Sequence, residues 1–158
     1  MSSHSTPNDS AGAADQVDRT AYPFTSRWLD LRAGRMHYVD EGAGEPLVFV
    51  HGTPTWSFEW RHLIRAFAST HRCIAPDYID FGLSDRPRNF SYAPEAHAEN
   101  LAAFIEKFKP EPFTLIVHDY GGPIGLPLCI GLEICQLQRR ADAVWEALFS
   151  APATPRQR

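Results

Sequence analysis

The chain has 158 residues, of which 44% are apolar and 22% are charged, and its formal net charge is −4. This length suits one domain with a real hydrophobic core, and the composition is ordinary for a globular protein. Mild acidity without a basic run argues against nucleic-acid binding. Because no apolar stretch approaches the length of a membrane span, no membrane association is expected.

The cysteines are Cys73, Cys129 and Cys135, and they form no metal-ligand spacing. Two of them lie in apolar runs, which favours buried free thiols in a reducing compartment. The sequence therefore predicts a cytoplasmic protein with no bound metal and no cofactor.

Residues 1–24 are predicted to form a disordered tail. Up to about Thr20 they are rich in Ser, Ala, Asp and Asn and show no periodicity, so they cannot bury enough apolar surface to become ordered. The stretch lacks the apolar core of a signal peptide, and its aspartates argue against a transit peptide.

Strand patterns begin at Arg27. Residues 28–31 and 36–39 flank a tight turn at Ala33-Gly34, which predicts two short strands. After a Gly-containing loop, residues 46–50 form a continuous apolar run, typical of a strand covered on both faces. Such burial predicts a parallel sheet with helices on each side.

A loop with the sequence His-Gly-Thr-Pro-Thr-Trp follows at residues 51–56. Loops beyond the carboxyl ends of buried strands are where open α/β sheets build their sites. The backbone N–H groups of Thr53 and Tyr120 are expected to converge and form an anion hole. The alternative is an ordinary βα loop that needs Gly and Pro for its turn. His51 is predicted to be a hydrogen-bonded structural residue rather than a base.

A helix is predicted after this loop. Ser57 is the expected N-cap, and apolar residues at helical spacing follow it. These are Trp60, Leu63, Ile64 and Phe67.

The next strand, at residues 73–76, leads into an acidic loop at 77–87. A metal site is one interpretation, but the Gly and Pro in this loop match turn chemistry better, with Asp side chains accepting from nearby backbone N–H groups. Asp85 and Arg86 are predicted to form a local ion pair. Pro94 is expected to open a helix, with His97 on its face.

The segment at residues 115–125 has the pattern of a nucleophile elbow, a sharp strand-to-helix turn that exposes one reactive side chain. Asp119 stands at the nucleophile position, and Gly121 and Gly122 are expected to meet the need for small residues. A carboxylate there suits attack on saturated carbon, forming an ester that water then hydrolyses. The alternative is a turn whose Asp caps the following helix.

Together these motifs resemble the α/β-hydrolase family in its Asp-nucleophile branch. Residues 51–54 are similar to its oxyanion loop, 77–87 to the loop after the next strand, and 118–126 to its elbow. The similarity covers residues 27–128 and is closest to haloalkane dehalogenases, with epoxide hydrolases second. The resemblance implies a set of roles. Asp119 is the nucleophile, the N–H groups of Thr53 and Tyr120 bind the oxyanion or halide, and the supporting loop contains His51, Gly52 and Trp56.

Three positions depart from the dehalogenase pattern. Tyr120 stands where the family commonly has Trp, and Thr53 stands where Asn or Glu often follows the His-Gly pair. Asp80 replaces a frequent Gly, which predicts a left-handed backbone that Asp tolerates.

The expectation for the carboxyl end is an incomplete fold. Residues 131–150 keep helical spacing and are predicted to be an atypical helical segment, and 151–158 a tail. Family members continue with more strands, a helical cap, a second acid and a late histidine base, whereas all seven histidines here lie at or before His118. Residues 25–130 are therefore expected to be the amino-terminal half of a doubly wound, mostly parallel α/β sheet. The cap and carboxyl-terminal half are expected to be missing, so an ester on Asp119 should persist.

Three functions are compatible with these features. The first is cleavage of the carbon–halogen bond of a small hydrophobic haloalkane, and the second is opening of an epoxide. The third is a non-catalytic half-domain that associates with another chain, or with itself, through an exposed sheet edge.

Overall fold

The computed structural model describes residues 17–108 and 112–131. Within them five strands form one sheet in the order β1-β2-β4-β3-β5. The strands are β1 (Arg27–Leu31), β2 (Gly34–Glu41), β3 (Pro46–Val50), β4 (Arg72–Pro76) and β5 (Thr114–Val117).

The sheet is mixed. β1 pairs with β2 and β2 with β4 in antiparallel fashion, whereas β3 pairs in parallel with both β4 and β5. The predicted parallel arrangement therefore holds for the three strands nearest the site, while the amino-terminal hairpin makes the sheet as a whole less parallel than expected. β3 lies between β4 and β5, and all its residues are buried, as its continuous apolar run predicts.

Helices cover both faces of this sheet. A 3₁₀ helix (Ser57–Trp60) leads into α1 (Arg61–Phe67), followed later by α2 (Pro94–Phe108) and α3 (Gly121–Gly131). Alternate residues of β3 enter two cores: Val48 and Val50 pack in the cluster that contains residues of α2 and α3. Leu47 and Phe49 pack in the cluster that contains Trp60 and Ile64. This arrangement confirms the doubly wound α/β interpretation.

The structure corrects the predicted boundary of the amino-terminal tail. Tyr22 is completely buried and Phe24 nearly so, and the Tyr22 hydroxyl is hydrogen-bonded to that of Ser57 at 2.6 Å. The large aromatic area gained by burying these two residues compensates for ordering a segment whose composition alone argues for disorder. Residues 1–16 lie outside the described part of the chain.

Two local predictions were wrong. Ser57 does not cap a helix; the N-cap position of the 3₁₀ helix belongs to Trp56, and Ser57 is buried instead. Asp85 pairs with Arg35 at 3.4 Å rather than with its neighbour, while Arg86 donates to the carbonyl of Gly82. Both errors arise because the side chains find partners that are distant in sequence. The segments predicted at 132–150 and 151–158 lie outside the described residues.

Candidate active site

The turn between β5 and α3 has the geometry of an elbow. Asp119 has φ of 48°, in the left-handed region that Asp tolerates better than most side chains. The helix begins only two residues later, at Gly121, and the Asp119 side chain is exposed. The turn thus presents a carboxylate at the carboxyl end of the parallel strands, where such sheets bind ligands.

Two glycines allow β3 and its loop to approach this turn. A Cβ on Gly121 would lie 2.4 Å from the carbonyl oxygen of Val50, and one on Gly52 would lie 2.8 Å from Cβ of Asp119. Gly122 differs, since a Cβ there would have nothing within 4 Å. The expectation that both elbow glycines must be small therefore holds for Gly121 and is wrong for Gly122.

Backbone donors surround the Asp119 carboxylate. The N–H of Thr53 donates to its Oδ1 at 3.1 Å. The N–H groups of Tyr120 and Thr53 lower the pKa of Asp119, with a smaller contribution from His118. Donors that favour the charged form keep a carboxylate ionised. Thr53 and Tyr120, which the sequence places 67 residues apart, thus act on one carboxylate; that they form an anion hole stays a prediction.

His51 supports the loop at residues 51–56 from the interior of the fold. It is completely buried, its Nδ1–H donates to the carbonyl of Gly52 at 2.8 Å, and its Nε2 accepts from the backbone N–H of Tyr78 at 3.0 Å. Burial lowers its pKa, so the ring is neutral and both nitrogens are engaged. These bonds agree with the predicted structural role, because no nitrogen remains to take a proton from water.

Trp56 packs the other end of this loop. Its ring stacks on Phe58 with centroids 5.5 Å apart and lies 5.0 Å from the ring of Tyr22. A Cβ on Gly82 would come within 2.7 Å of Cβ of Trp56. The loop is therefore held between the amino-terminal segment and the acidic loop at 77–87.

Asp77 joins the acidic loop to the rest of the site. It is completely buried, and its carboxylate accepts from the backbone N–H groups of Ser57 at 2.8 Å and Leu83 at 3.0 Å. These bonds fit the turn chemistry predicted for the loop. Its Oδ2 also lies 2.9 Å from Nδ1 of His37. Burial by itself would raise the pKa of Asp77, but the interaction with His37, with a smaller contribution from the N–H of Leu83, outweighs it, and the pKa is lowered.

Sequence reasoning missed His37 and Glu59 as supports of the site. His37 belongs to β2, 40 residues from Asp77. Glu59 lies 2.7 Å from Nδ1 of His118, the residue before the nucleophile position. No local pattern marks either residue, since each finds its partner only when the strands assemble. Asp80, by contrast, has φ of 73°, as its replacement of a Gly predicted.

Two further features concern the described residues as a whole. In residues 17–108 and 112–131, no three His, Cys, Asp or Glu side chains form a group able to hold a metal ion. Within the same ranges, no helix combines the length and apolar character needed to span a membrane.

Comparison with known proteins gives one family and several relatives. The model of the alpha/beta hydrolase fold matches residues 45–130. Haloalkane dehalogenase 2 of Mycobacterium tuberculosis is 44% identical over 113 residues, covering 72% of this chain and 40% of that protein. The cis-3-alkyl-4-alkyloxetan-2-one decarboxylase of Shewanella oneidensis is 43% identical over 110 residues, covering 68% of this chain and 35% of that protein.

Among solved structures, epoxide hydrolase VrEH1 from Vigna radiata superposes with a TM-score of 0.64 at 28% identity, covering 70% of this chain and 37% of that one. The chain thus spans at most 40% of the length of these curated relatives.

Proposed function

Because the chain belongs to the family with the alpha/beta hydrolase fold, we propose that Asp119 is a nucleophile that attacks the halogen-bearing carbon of a small hydrophobic haloalkane. An oxygen of the carboxylate forms a bond to carbon while the carbon–halogen bond breaks and the halide leaves with the electron pair. The product is an alkyl ester of Asp119. The similarity to haloalkane dehalogenase 2 supports this choice of substrate class.

One observation carries the proposal: an exposed carboxylate on a left-handed turn, with N–H donors directed at it from two segments. The donors keep Asp119 ionised, which attack on carbon requires. When water attacks the ester carbonyl, the negative charge develops on the carbonyl oxygen of Asp119, the carboxylate oxygen that did not bond to the alkyl carbon. The N–H groups of Thr53 and Tyr120 lie beside this carboxylate and would stabilise that charge. The proposal therefore assigns these N–H groups first to the oxyanion and only secondarily to the leaving halide.

Mass spectrometry of the intact chain after incubation with a short 1-bromoalkane tests this function. We expect one added alkyl group, located on Asp119 by peptide mapping, and none in Asp119→Asn. Circular dichroism of both proteins establishes that they are folded. An unmodified Asp119 in folded protein would count against the proposal.

An epoxide is the second candidate substrate, and the similarity to epoxide hydrolase VrEH1 favours its inclusion. The same carboxylate would attack a ring carbon while the carbon–oxygen bond of the ring breaks, and the alkoxide formed would take a proton from water. The ester would retain the whole epoxide because no group leaves. The two adducts therefore differ in the mass added to Asp119: the haloalkane adds only its alkyl group, and the epoxide adds its full mass. Incubation with a short terminal epoxide, followed by the same mapping, distinguishes them.

A non-catalytic role through association is a separate candidate. In the described residues, β5 pairs only with β3, so its other edge has no strand beside it, and Leu126 of the adjacent α3 is 44% exposed. Such an edge is a template for another chain, including a second copy of this one. Sedimentation velocity over a range of concentrations tests it: a compact monomer throughout would refute association.

The cytoplasm is the compartment we propose. Cys73 is a free and buried thiol, consistent with the reducing environment expected from the cysteine pattern. Burial, with the nearby Asp40 and Glu41 carboxylates, raises its pKa to about 12, so the thiol is unreactive in the folded chain.

A further inference from the structure

The N–H donors around Asp119 come from two segments, and their positions relative to each other must be fixed. Thr53 belongs to the oxyanion loop, and Tyr120 belongs to the elbow. The Thr53 N–H reaches Asp119 across a sequence separation of 66 residues. The strands that lead into these segments are joined by the β3–β5 ladder, and beyond it the N–H of His118 donates to the carbonyl of Val50 at 3.3 Å. A longer Thr53–Asp119 distance would weaken the stabilisation of charge on the carboxylate.

Side chains form a second connection between these segments. Nδ1 of His118, the residue immediately before Asp119, lies 2.7 Å from Oε1 of Glu59. The other carboxylate oxygen of Glu59 is hydrogen-bonded to the hydroxyl of Thr55. We call these three residues, Thr55, Glu59 and His118, the Glu59 bridge.

The Glu59 bridge ends on the peptide group that donates to the nucleophile. The carbonyl of Gly52 lies 2.9 Å from the Thr55 hydroxyl and accepts from the Thr55 backbone N–H at 3.2 Å. Thr55 therefore contacts Gly52 whichever acceptor receives its single hydroxyl proton. The carbonyl of Gly52 and the N–H of Thr53 belong to the same planar peptide unit, so orienting one orients the other.

The carboxylate of Glu59 is largely buried, which distinguishes its contact with His118 from an ion pair on the surface. The Glu59 side chain is only 16% exposed, although His118 is 63% exposed. A shielded carboxylate that has two hydrogen-bond partners is held in one geometry, unlike the solvated pairs that contribute little. The His118 ring also meets the ring of Trp60 edge-on, at 6.4 Å between centroids.

We propose that Glu59 and His118 are positioning residues for Asp119: through Thr55 they fix the Gly52–Thr53 peptide against the elbow. Their role in catalysis rests on the proposed function, whereas their effect on the Thr53 N–H does not. The Thr53 amide proton therefore reports on the Glu59 bridge directly, by NMR of the isotopically labelled full chain.

Glu59→Ala and Glu59→Gln form the decisive pair. Alanine removes the bridge, whereas glutamine retains it: its oxygen accepts from His118, and its NH₂ donates to Thr55. We expect Glu59→Ala to move the Thr53 amide resonance upfield as the hydrogen bond lengthens. We also expect it to slow alkylation of Asp119 on the order of tenfold, since small misplacements of reacting groups are costly. Glu59→Gln should restore both towards the unsubstituted values.

Asp40→Ala is the matched control. Asp40 is 17% exposed and pairs with Arg72 at 2.8 Å, but Arg72 begins β4, at the end of the sheet opposite the site. This variant should leave the Thr53 resonance in place. His118→Ala, with His118→Asn to restore a donor near the Nδ1 position, repeats the test from the exposed side if Glu59→Ala does not fold.

The results separate the two proposals. An unmoved Thr53 resonance in Glu59→Ala or His118→Ala would overturn the positioning role, as would a shift of equal size in Asp40→Ala. Failure of the unsubstituted chain to be alkylated would count against the proposed function alone. The Thr53 resonance would then decide the positioning role by itself.

Discussion

Replacing Gly121 by alanine is expected to destabilise the fold, whereas the same change at Gly122 is expected to stabilise it. A Cβ on Gly121 would lie 2.4 Å from the Val50 oxygen and 2.9 Å from the His51 oxygen, both backbone atoms, while one on Gly122 would meet nothing within 4 Å. Since β3 is bonded on both sides, to β4 and β5, it cannot move away without loss of ladder bonds. Overpacking of this kind costs about 1–3 kcal/mol.

Gly122→Ala should gain about 0.5 kcal/mol or more, because alanine restricts the unfolded chain and favours helix. The two variants are thus expected to differ by roughly 1.5–3.5 kcal/mol in the free energy of unfolding. With a urea m-value of about 2 kcal/mol/M, their midpoints should differ by about 0.8–1.8 M. Urea denaturation followed by tryptophan fluorescence measures this directly.

Gly122→Ala is the control for Gly121→Ala, since the two glycines are adjacent in α3 and both are changed to alanine. Equal m-values for the two variants would show that the comparison concerns stability rather than a changed unfolded state. If Gly121→Ala proved as stable as Gly122→Ala, the close approach of the elbow to β3 would be refuted.

Two further predictions concern the buried polar residues. Asp77→Ala should lower the free energy of unfolding, measured by urea denaturation, by about 3–5 kcal/mol, because it leaves buried N–H groups and the imidazole of His37 without their partner. Asp77→Asn keeps an acceptor oxygen and should lower the free energy of unfolding by less. Stability should also fall on acidification, because burial lowers the pKa of His51 and His97 below the ordinary value of 6.5 and the pKa of Asp77 is lowered below 3.8. For each group the unfolded chain binds the proton more readily than the folded chain does. The stability that the group contributes is therefore complete above its ordinary pKa, 6.5 for each histidine and 3.8 for Asp77, and is lost as the pH falls below that value. Unfolding midpoints that stayed constant between about pH 7.5 and 5, or rose on acidification, would contradict this sign.

Much of the backbone could be predicted from short stretches of sequence. The apolar run of β3, the turn before β2 and the alternation of strands and helices follow from periodicity and turn residues. The left-handed conformations at Asp80 and Asp119 agree with residue types that tolerate them. These features depend on residues a few positions apart in the sequence, whose steric and hydrogen-bonding preferences do not depend on tertiary contacts.

The tertiary structure alone decided which polar groups meet. Local sequence favours adjacent Arg86 as the partner of Asp85, but the order of the strands brings Asp85 to Arg35, 50 residues away. Glu59 and His118 are paired by the same assembly, and so are His37 and Asp77.

Burial of the amino-terminal segment was also settled by assembly. The polar composition around Tyr22 predicts a disordered tail, yet the folded domain offers an apolar surface and the Ser57 hydroxyl to receive this residue. The sequence by itself determines which hydrogen bonds each side chain is able to form and which backbone conformations each residue favours. Which partner lies within reach, and whether water is excluded there, depends on contacts formed only when distant segments pack together.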